Sequence, residues 1–289
     1  MSKNGNGNGN SYGWTDSRLD LSSKVAVVTG ATGGIGRATC YQLAVEGAQA
    51  VAMVDFSEAV ENLAREANTK LGREVMIPFR GDVTDTAFRS SVFKSLEAKF
   101  GTVSICVPAA GITRDKLAVK INKETGEPEM YAESDFRRVV DVDLIAPIYW
   151  AIETIASVAR SRHARGMKKW DPSEGVEGAV IFIGSVSSAG NKGQVSYAAC
   201  KAGLKGAQAT LASEAVFYGV RSAIIHPGYT DTPMVRVLGD EFIDKAIIPQ
   251  TQLRRLIKPE EIAHAICFMI RNAAVSGQLF ADAGWHPTA

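Results

Sequence analysis

Short, uninterrupted apolar runs alternate along this chain with longer segments in which apolar residues recur every three or four positions. The runs predict strands that are buried on both faces, and the longer segments predict helices. Strands are predicted at residues 24–29, 50–54, 75–79, 103–107, 179–183, 221–225 and 278–281, and helices at 36–47, 57–71, 85–100, 134–159 and 195–219. Strands that alternate with helices form parallel sheets with helices on both faces. We therefore expect a single α/β domain built on a doubly wound, seven-stranded parallel sheet.

Polar stretches rich in turn-forming residues interrupt this alternation. Residues 113–133 form a predicted exposed insertion before the longest helix, and residues 166–177 form a second polar loop. Residues 234–248 are expected to form a lid over the substrate, because loops above the carboxyl ends of parallel strands build the pocket. The Asn-Gly repeats at the start of the chain predict a disordered tail at residues 1–18, which leaves residues 19–289 for the domain.

Composition and charge exclude several classes of protein. Of the 289 residues, 46% are hydrophobic and 22% are charged, and the formal net charge is +1, as in many globular enzymes. The lysines and arginines are scattered, so we expect no nucleic-acid partner. No apolar stretch approaches the length that spans a bilayer, and the chain lacks a secretory signal, so we expect no membrane partner. The four cysteines lack paired spacing, which favours reduced thiols and a cytoplasmic setting, and the four dispersed histidines predict no metal site.

A glycine-rich turn, Thr-Gly-Ala-Thr-Gly-Gly-Ile-Gly, joins the first predicted strand to the first helix. Such a turn presents backbone N–H groups and a helix N-terminus to a pyrophosphate. Gly30 would allow the tight turn, Gly34 the approach of the phosphates, and Gly36 the packing of helix against strand. Asp55 ends the second strand, where a carboxylate binds ribose hydroxyls and repels a 2′-phosphate, so we expect NAD rather than NADP, although Arg37 would partly offset that repulsion. The alternative for the glycine-rich segment is a plain turn that binds no cofactor, and the alternative for Asp55 is a cap of the following helix.

Tyr197 and Lys201 lie one helical turn apart on a predicted helix. Hydride transfer from an alcohol carbon requires removal of the hydroxyl proton, and a phenol with its usual pKa of about 10 does this only when it becomes more acidic. A lysine four positions further along the helix supplies a positive charge on the same face. This pair therefore predicts Tyr197 as general base in oxidation and general acid in reduction.

The glycine turn and the Tyr-x-x-x-Lys pair occur in an order that resembles the short-chain dehydrogenase/reductase family, from about residue 19 to about residue 285. The resemblance implies a Rossmann fold and a nicotinamide cofactor whose ribose Lys201 would hold. It also implies that Ser185 hydrogen-bonds the substrate oxygen, with Ser187 or Ser188 as substitutes because the spacing to the tyrosine is one residue short. The residues that the resemblance and the turn assign to cofactor binding are Gly30, Thr32, Gly33, Gly34, Ile35, Gly36, Asp55, Asp82, Val83, Ala110, Gly111, Tyr197, Lys201, Pro227, Gly228, Thr230 and Thr232.

The chain departs from the family at two places. Ala110 and Gly111 match the end of its Asn-Asn-Ala-Gly motif, but a proline and an alanine replace both asparagines. Asp143 stands in Asp-Val-Asp-Leu where the family has a catalytic asparagine, whose backbone carbonyl holds a water of the proton relay. An aspartate could keep that role while adding a charge near Lys201, so we expect retained activity with an altered pH profile.

The substrate is predicted by resemblance alone, because a fold does not fix a substrate. Residues 111–115 and 253–256 resemble stretches of 3-oxoacyl-carrier-protein reductases, and the two polar loops are similar to those of NAD-using short-chain 3-hydroxyacyl-CoA dehydrogenases. A 3-hydroxyacyl or 3-oxoacyl thioester is therefore the first expectation. The alternatives are another secondary alcohol, such as a sugar, polyol or cyclic alcohol, and a nicotinamide-binding regulator without catalytic activity. The family also implies a homo-oligomer, either a tetramer or a dimer.

Overall fold

Seven of the nine strands of the computed structural model, which describes residues 18–285, follow the apolar runs of the sequence, and the other two lie in the polar insertion. The strands are β1 (Val25–Thr29), β2 (Ala50–Asp55), β3 (Met76–Arg80), β4 (Val103–Pro108), β5 (Val119–Ile121), β6 (Pro128–Met130), β7 (Gly178–Ile183), β8 (Val220–Pro227) and β9 (Gly277–Ala281), of which β5 and β6 are the two in the insertion. Seven of them form one parallel sheet in the order β3-β2-β1-β4-β7-β8-β9. The predicted fold class is therefore confirmed. Residues 1–17 of the predicted tail lie outside the described residues.

The helices cover both faces of this sheet. They are α1 (Gly34–Val45), α2 (Ala59–Leu71), α3 (Thr86–Phe100), α4 (Glu133–Val140), α5 (Ala146–Ala164), α6 (Val195–Ala215), α7 (Pro233–Arg236), α8 (Asp240–Phe242) and α9 (Pro259–Arg271). Ala26 and Val28 of β1 pack with α1, α2 and α9, whereas Val25 and Val27 pack with α3, α5 and α6. Successive side chains of a strand point to opposite faces. Two buried layers therefore enclose β1, which explains why its sequence is apolar throughout.

The longest helical stretch combines α4, a wide π turn at Asp141–Ile145, and α5. By length and composition, the stretch Glu133–Ala164 could cross a membrane, and this corrects the expectation that no apolar stretch approaches that length. Within this stretch, half of the most apolar 18-residue segment is buried inside the protein, and Trp150 and Ala151 lie fully buried in the core. Core helices of globular proteins have the same composition because they pack against a sheet on one side.

The predicted insertion at residues 113–133 is exposed, but it contains the antiparallel hairpin formed by β5 and β6. Met130 of the hairpin is 80% exposed. The ends of the insertion are hydrogen-bonded to the first turn of α6 and to the segment before it. Tyr131 Oη lies 2.9 Å from Ser196 Oγ in α6, and the Lys116 backbone N–H donates to the Gly193 carbonyl before α6 at 2.9 Å.

All four cysteines are unpaired and buried. Burial raises the pKa of every one of these thiols, to about 12 for Cys106 and for Cys267 and to about 11 for Cys200. The unpaired state agrees with the expectation of reduced thiols.

Candidate active site

A cleft of about 430 Å³ lies at the carboxyl ends of β1, β2, β3, β4 and β7. The predicted site residues that line it are Gly30, Thr32, Gly33, Gly34, Ile35, Gly36, Asp55, Asp82, Val83, Ala110, Gly111, Asp143, Tyr197, Lys201 and Thr232. Residues that the sequence analysis did not assign to the site also line it: Phe56, Gly81, Ala109, Ile112, Arg138, Val142, Ile183 and Pro233. Met234, the first residue of the predicted lid, lines it as well. Ser185, Pro227, Gly228 and Thr230 lie outside its lining. The switch point of a doubly wound sheet is where such folds bind ligands.

The glycine turn at the start of α1 leaves no room for side chains. Gly30 has a φ of 67°, a left-handed conformation that favours glycine. A Cβ at Gly36 would lie 2.2 Å from the Gly30 carbonyl oxygen, and one at Gly34 would lie 2.5 Å from the Thr232 methyl group. Gly33 precedes the helix without a side-chain cap, so the first N–H groups of α1 stay available at the cleft. This geometry fits the pyrophosphate of a dinucleotide.

The Asp55 carboxylate is fixed at the end of β2 by two backbone hydrogen bonds. Its Oδ2 accepts from the Thr32 N–H at 2.9 Å, and its Oδ1 accepts from the Ser57 N–H at 3.0 Å. Asp55 therefore supports both the glycine turn and the segment that leads into α2, but it does not cap this helix, whose N-cap residue is Glu58. Its position in the cleft still allows further acceptance of hydrogen bonds from ribose hydroxyls.

Asp82 and Arg138 form an ion pair at the same edge of the sheet. Asp82 Oδ1 accepts from the Thr84 N–H at 2.9 Å, and its Oδ2 lies 3.2 Å from Arg138 Nη2. Burial raises the pKa of Asp82, but the hydrogen bonds from Thr84 and Arg138 outweigh it and the net pKa is lowered. Arg138 comes from α4, so its role in the cleft depends on tertiary structure and no motif in the sequence indicates it.

Tyr197 and Lys201 project from the first turns of α6, as the spacing predicts. Lys201 is 4% exposed, its Nζ lies 5.3 Å from the centre of the Tyr197 ring, and it donates to the Ile183 carbonyl at 3.1 Å. Ser185 follows β7, and its Oγ accepts from the Ser187 N–H at 3.0 Å. Among the three candidate serines, Ser185 is the one whose hydroxyl lowers the pKa of Tyr197.

The phenol of Tyr197 is less acidic than the lysine alone would make it. Burial raises its pKa, and the charges of Asp143 and Asp115 act in the same direction. Lys201 and the Ser185 hydroxyl lower the pKa but do not outweigh these effects.

Asp143 lies in the π turn and is fully buried. Its Oδ1 accepts from the Ile112 N–H at 2.8 Å, and its Oδ2 lies 3.5 Å from Lys201 Nζ. Burial raises the pKa of the Asp143 carboxyl, and Lys201 opposes that effect. Burial alone would lower the pKa of Lys201, but the neighbouring Asp143 raises it above the ordinary value. The extra charge expected near Lys201 is therefore in direct electrostatic contact with it.

The segment after β8 is divided between structural and cleft positions. Pro227 is the last residue of β8, and a Cβ at Gly228 would lie 2.8 Å from the Asp282 carbonyl oxygen. Thr230 is 3% exposed and donates to the Gly228 carbonyl at 3.1 Å. Thr232 alone of the four predicted residues of this segment lines the cleft. No cluster of three or more His, Cys, Asp or Glu suited to a metal ion occurs within residues 18–285.

Comparison with known proteins identifies the family. The family model described as short chain dehydrogenase matches residues 24–241. The 3-oxoacyl-acyl-carrier-protein reductase FabG of Escherichia coli is 31% identical over 257 residues, which cover 89% of this chain and 93% of the relative. The acetoacetyl-CoA reductase of Allochromatium vinosum is 31% identical over 270 residues, 89% of this chain and 99% of the relative. The cis-4-hydroxycyclohexanecarboxylate dehydrogenase of Sinomonas cyclohexanicum is 31% identical over 269 residues, 92% of this chain and 97% of the relative. The chain therefore belongs to the short-chain dehydrogenase family, whose members are oxidoreductases that bind a nicotinamide cofactor.

Proposed function

We propose that this protein transfers a hydride between NAD(H) and the oxygen-bearing carbon of a 3-hydroxyacyl or 3-oxoacyl thioester. The observation that carries the proposal is the grouping of Tyr197, Lys201 and Ser185. The tyrosine and the lysine line the glycine-turn cleft with the Lys201 Nζ 5.3 Å from the centre of the Tyr197 ring, and the Ser185 hydroxyl acts on the same phenol. Two of the relatives are named for the reduction of 3-oxoacyl thioesters, which supports this substrate class.

The cleft residues would hold a dinucleotide by complementary charge. The open N–H groups at the start of α1 would face its pyrophosphate, and Asp55 would accept hydrogen bonds from the adenosine ribose. Lys201 would bind the hydroxyls of the ribose that carries the nicotinamide ring. When bound, the nicotinamide ring would supply or accept the hydride.

The side chains around Tyr197 would manage the proton. In reduction, Ser185 would donate a hydrogen bond to the substrate carbonyl oxygen, and Tyr197 would donate its phenolic proton as charge develops on that oxygen. In oxidation, the tyrosine would accept the proton from the alcohol. The Asp143 backbone carbonyl, in the wide π turn, would hold a water that returns protons to the tyrosine.

The preference for NAD over NADP rests on Asp55. Its carboxylate is held in place by two backbone N–H groups, so it would not move aside for a 2′-phosphate. Asp55→Ser keeps a hydrogen-bonding side chain and removes the charge, and it is expected to raise the activity with NADPH relative to NADH. A wild-type enzyme that prefers NADPH at equal concentration would overturn this part of the proposal.

The test of the reaction follows the absorbance of reduced nicotinamide with acetoacetyl-CoA as substrate. We expect turnover by the wild type and its loss in Tyr197→Phe, which removes only the phenolic oxygen. Cofactor binding, measured by fluorescence, serves as the control and should be unchanged in the variant. Clear cofactor binding without turnover of any carbonyl would favour the non-catalytic regulator instead.

A cyclic secondary alcohol is the second candidate substrate, because one relative of similar identity is named for such an activity. The same assay with cis-4-hydroxycyclohexanecarboxylate and NAD distinguishes the two. Turnover of the cyclic alcohol, with none of the thioester, would leave the roles of Tyr197 and Lys201 intact and replace the substrate.

The assembly is proposed to be a dimer or tetramer formed through the long helices. Ile145, Tyr149 and Ile152 recur at helical spacing and are 44%, 49% and 41% exposed, which supports a partner surface on this helix. Light scattering on the purified protein would decide the stoichiometry. A cytoplasmic setting remains a proposal that the four unpaired thiols support.

A further inference from the structure

The Asp143 carboxylate faces two N–H donors, the Ile112 backbone and the Lys201 ammonium, and each of them needs an acceptor. Oδ1 accepts from the Ile112 backbone N–H at 2.8 Å, and Oδ2 faces the Lys201 ammonium at 3.5 Å. Oδ2 has no hydrogen-bond partner among residues 18–285, so its contact with Lys201 is electrostatic. A carboxylate offers an acceptor to each donor, whereas an amide would turn its NH₂ group toward one of them. The ionised form of Asp143 therefore fits this pocket better than an asparagine does.

The charge on Asp143 acts on Tyr197 through Lys201. A lysine ammonium favours the phenolate form of a neighbouring tyrosine, and a carboxylate paired with that lysine offsets the effect. The titratable groups that face this site are Lys201 and Cys200 on α6, Asp143 in the π turn, and Asp115 in the loop after β4. Only Asp143 combines complete burial with a direct contact to Lys201.

We propose that Asp143 is a positioning residue whose carboxylate, paired with Lys201, holds Tyr197 as a phenol and extends carbonyl reduction to higher pH. The inference rests on the proposed function, because it assigns the phenol the task of proton donor. Burial and the charge of Asp143 both raise the pKa of Tyr197, which agrees with the geometry. The Tyr197 phenol serves both directions of the reaction. As the pH rises through its pKa, the enzyme therefore loses activity in reduction and gains activity in oxidation.

The kinetic test compares the pH dependence of kcat/KM in both directions for the wild type and Asp143→Asn. Loss of the carboxylate is expected to move the falling limb of reduction and the rising limb of oxidation to lower pH by about one unit, the size of a charge effect at a buried site. Asp115→Asn is the matched control, since it removes the same charge from an exposed position where solvent screens it. The pH profiles of Asp115→Asn should shift much less than those of Asp143→Asn. Limbs of Asp143→Asn that coincide with the wild type, or an equal shift in Asp115→Asn, would overturn the inference.

A second measurement needs neither substrate nor turnover. The ultraviolet absorbance of tyrosinate is titrated in the wild type, and the signal of Tyr197→Phe is subtracted to isolate Tyr197. We expect no Tyr197 signal below the ordinary phenol pKa of about 10. Ionisation of Tyr197 well below that pH would contradict the inference, even if Asp143→Asn did not fold. Because this titration involves no reaction, a wrong substrate assignment would leave its outcome interpretable.

Discussion

The contact between Gly34 and Thr232 predicts that Gly34→Ala destabilises the protein and that Thr232→Ser reverses the effect. A Cβ at Gly34 would lie 2.5 Å from the Thr232 methyl carbon, where ordinary contacts begin at 3.4 Å. The serine lacks this methyl group. The next neighbours of the added carbon would then be Thr232 Cβ at 3.1 Å and Pro259 Cγ at 3.4 Å, which a small shift relieves.

The expected losses in the free energy of unfolding follow from the packing around Gly34. Forcing an extra carbon into a filled site costs about 1–3 kcal/mol. Removing the Thr232 methyl group alone costs at most about 0.8 kcal/mol, the value for one buried carbon. With the clash removed, the double variant should lose little beyond that cost, so the coupling energy between the two sites is about 1–3 kcal/mol. This exceeds the error of about 0.5 kcal/mol within which independent substitutions add.

The assay is urea unfolding of the cofactor-free wild type, both single variants and the double variant. Cofactor-free protein is needed because both positions line the cleft and would otherwise alter stability through binding. Strict additivity of the two free-energy changes would refute the reasoning. It would show that the turn yields elsewhere when Gly34 acquires a side chain.

Two further predictions concern ion pairs outside the cleft. Arg162→Met should lower the free energy of unfolding by roughly 3–5 kcal/mol, because Arg162 is 1% exposed and its guanidinium pairs with two carboxylates. Arg165→Met, which removes a half-exposed arginine from one of the same carboxylates, should cost under about 1 kcal/mol, and equal costs in urea titrations would refute the distinction. Glu261 has a pKa lowered to about 2 by hydrogen bonds from Arg255 and the Lys258 N–H, against an ordinary value of 4.5. Its stabilising contribution is present above pH 4.5 and lost as the pH falls toward 2. Glu261→Gln should therefore make the melting temperature depend less steeply on pH over that interval, and the same pH dependence as in the wild type would contradict this prediction.

The sheet could be predicted from the sequence because its central strands are buried on both faces. Every residue of β1 and of β4 is buried, so the apolar run and the strand coincide. The same holds for the start of α3, which is predicted at residue 85 and where the Asp85 side chain accepts from the Ala87 and Phe88 N–H groups. Local chemistry determines both features, so a local pattern is enough to find them.

Features that depend on tertiary contacts did not follow from the pattern. The strands β5 and β6 have three residues each, all exposed, which is too short for an alternating pattern to distinguish a hairpin from a loop. The π turn at Asp141–Ile145 interrupts a helix whose apolar spacing predicts a continuous one. The pairing of Asp143 with Lys201 joins two elements that are distant in sequence. The resemblance to the family predicted a charge near Lys201, and the fold adds the distance of 3.5 Å and the complete burial of Asp143.

The burial of all four native thiols makes this protein suited to labelling at a chosen position. A thiol reacts as its thiolate, and the native cysteines are both inaccessible and weakly acidic. A cysteine introduced at Met130, on the exposed hairpin, would therefore be the single reactive thiol of the folded protein. A fluorophore attached there would report on the loop that is hydrogen-bonded to the residue before Tyr197, without any change to the native cysteines.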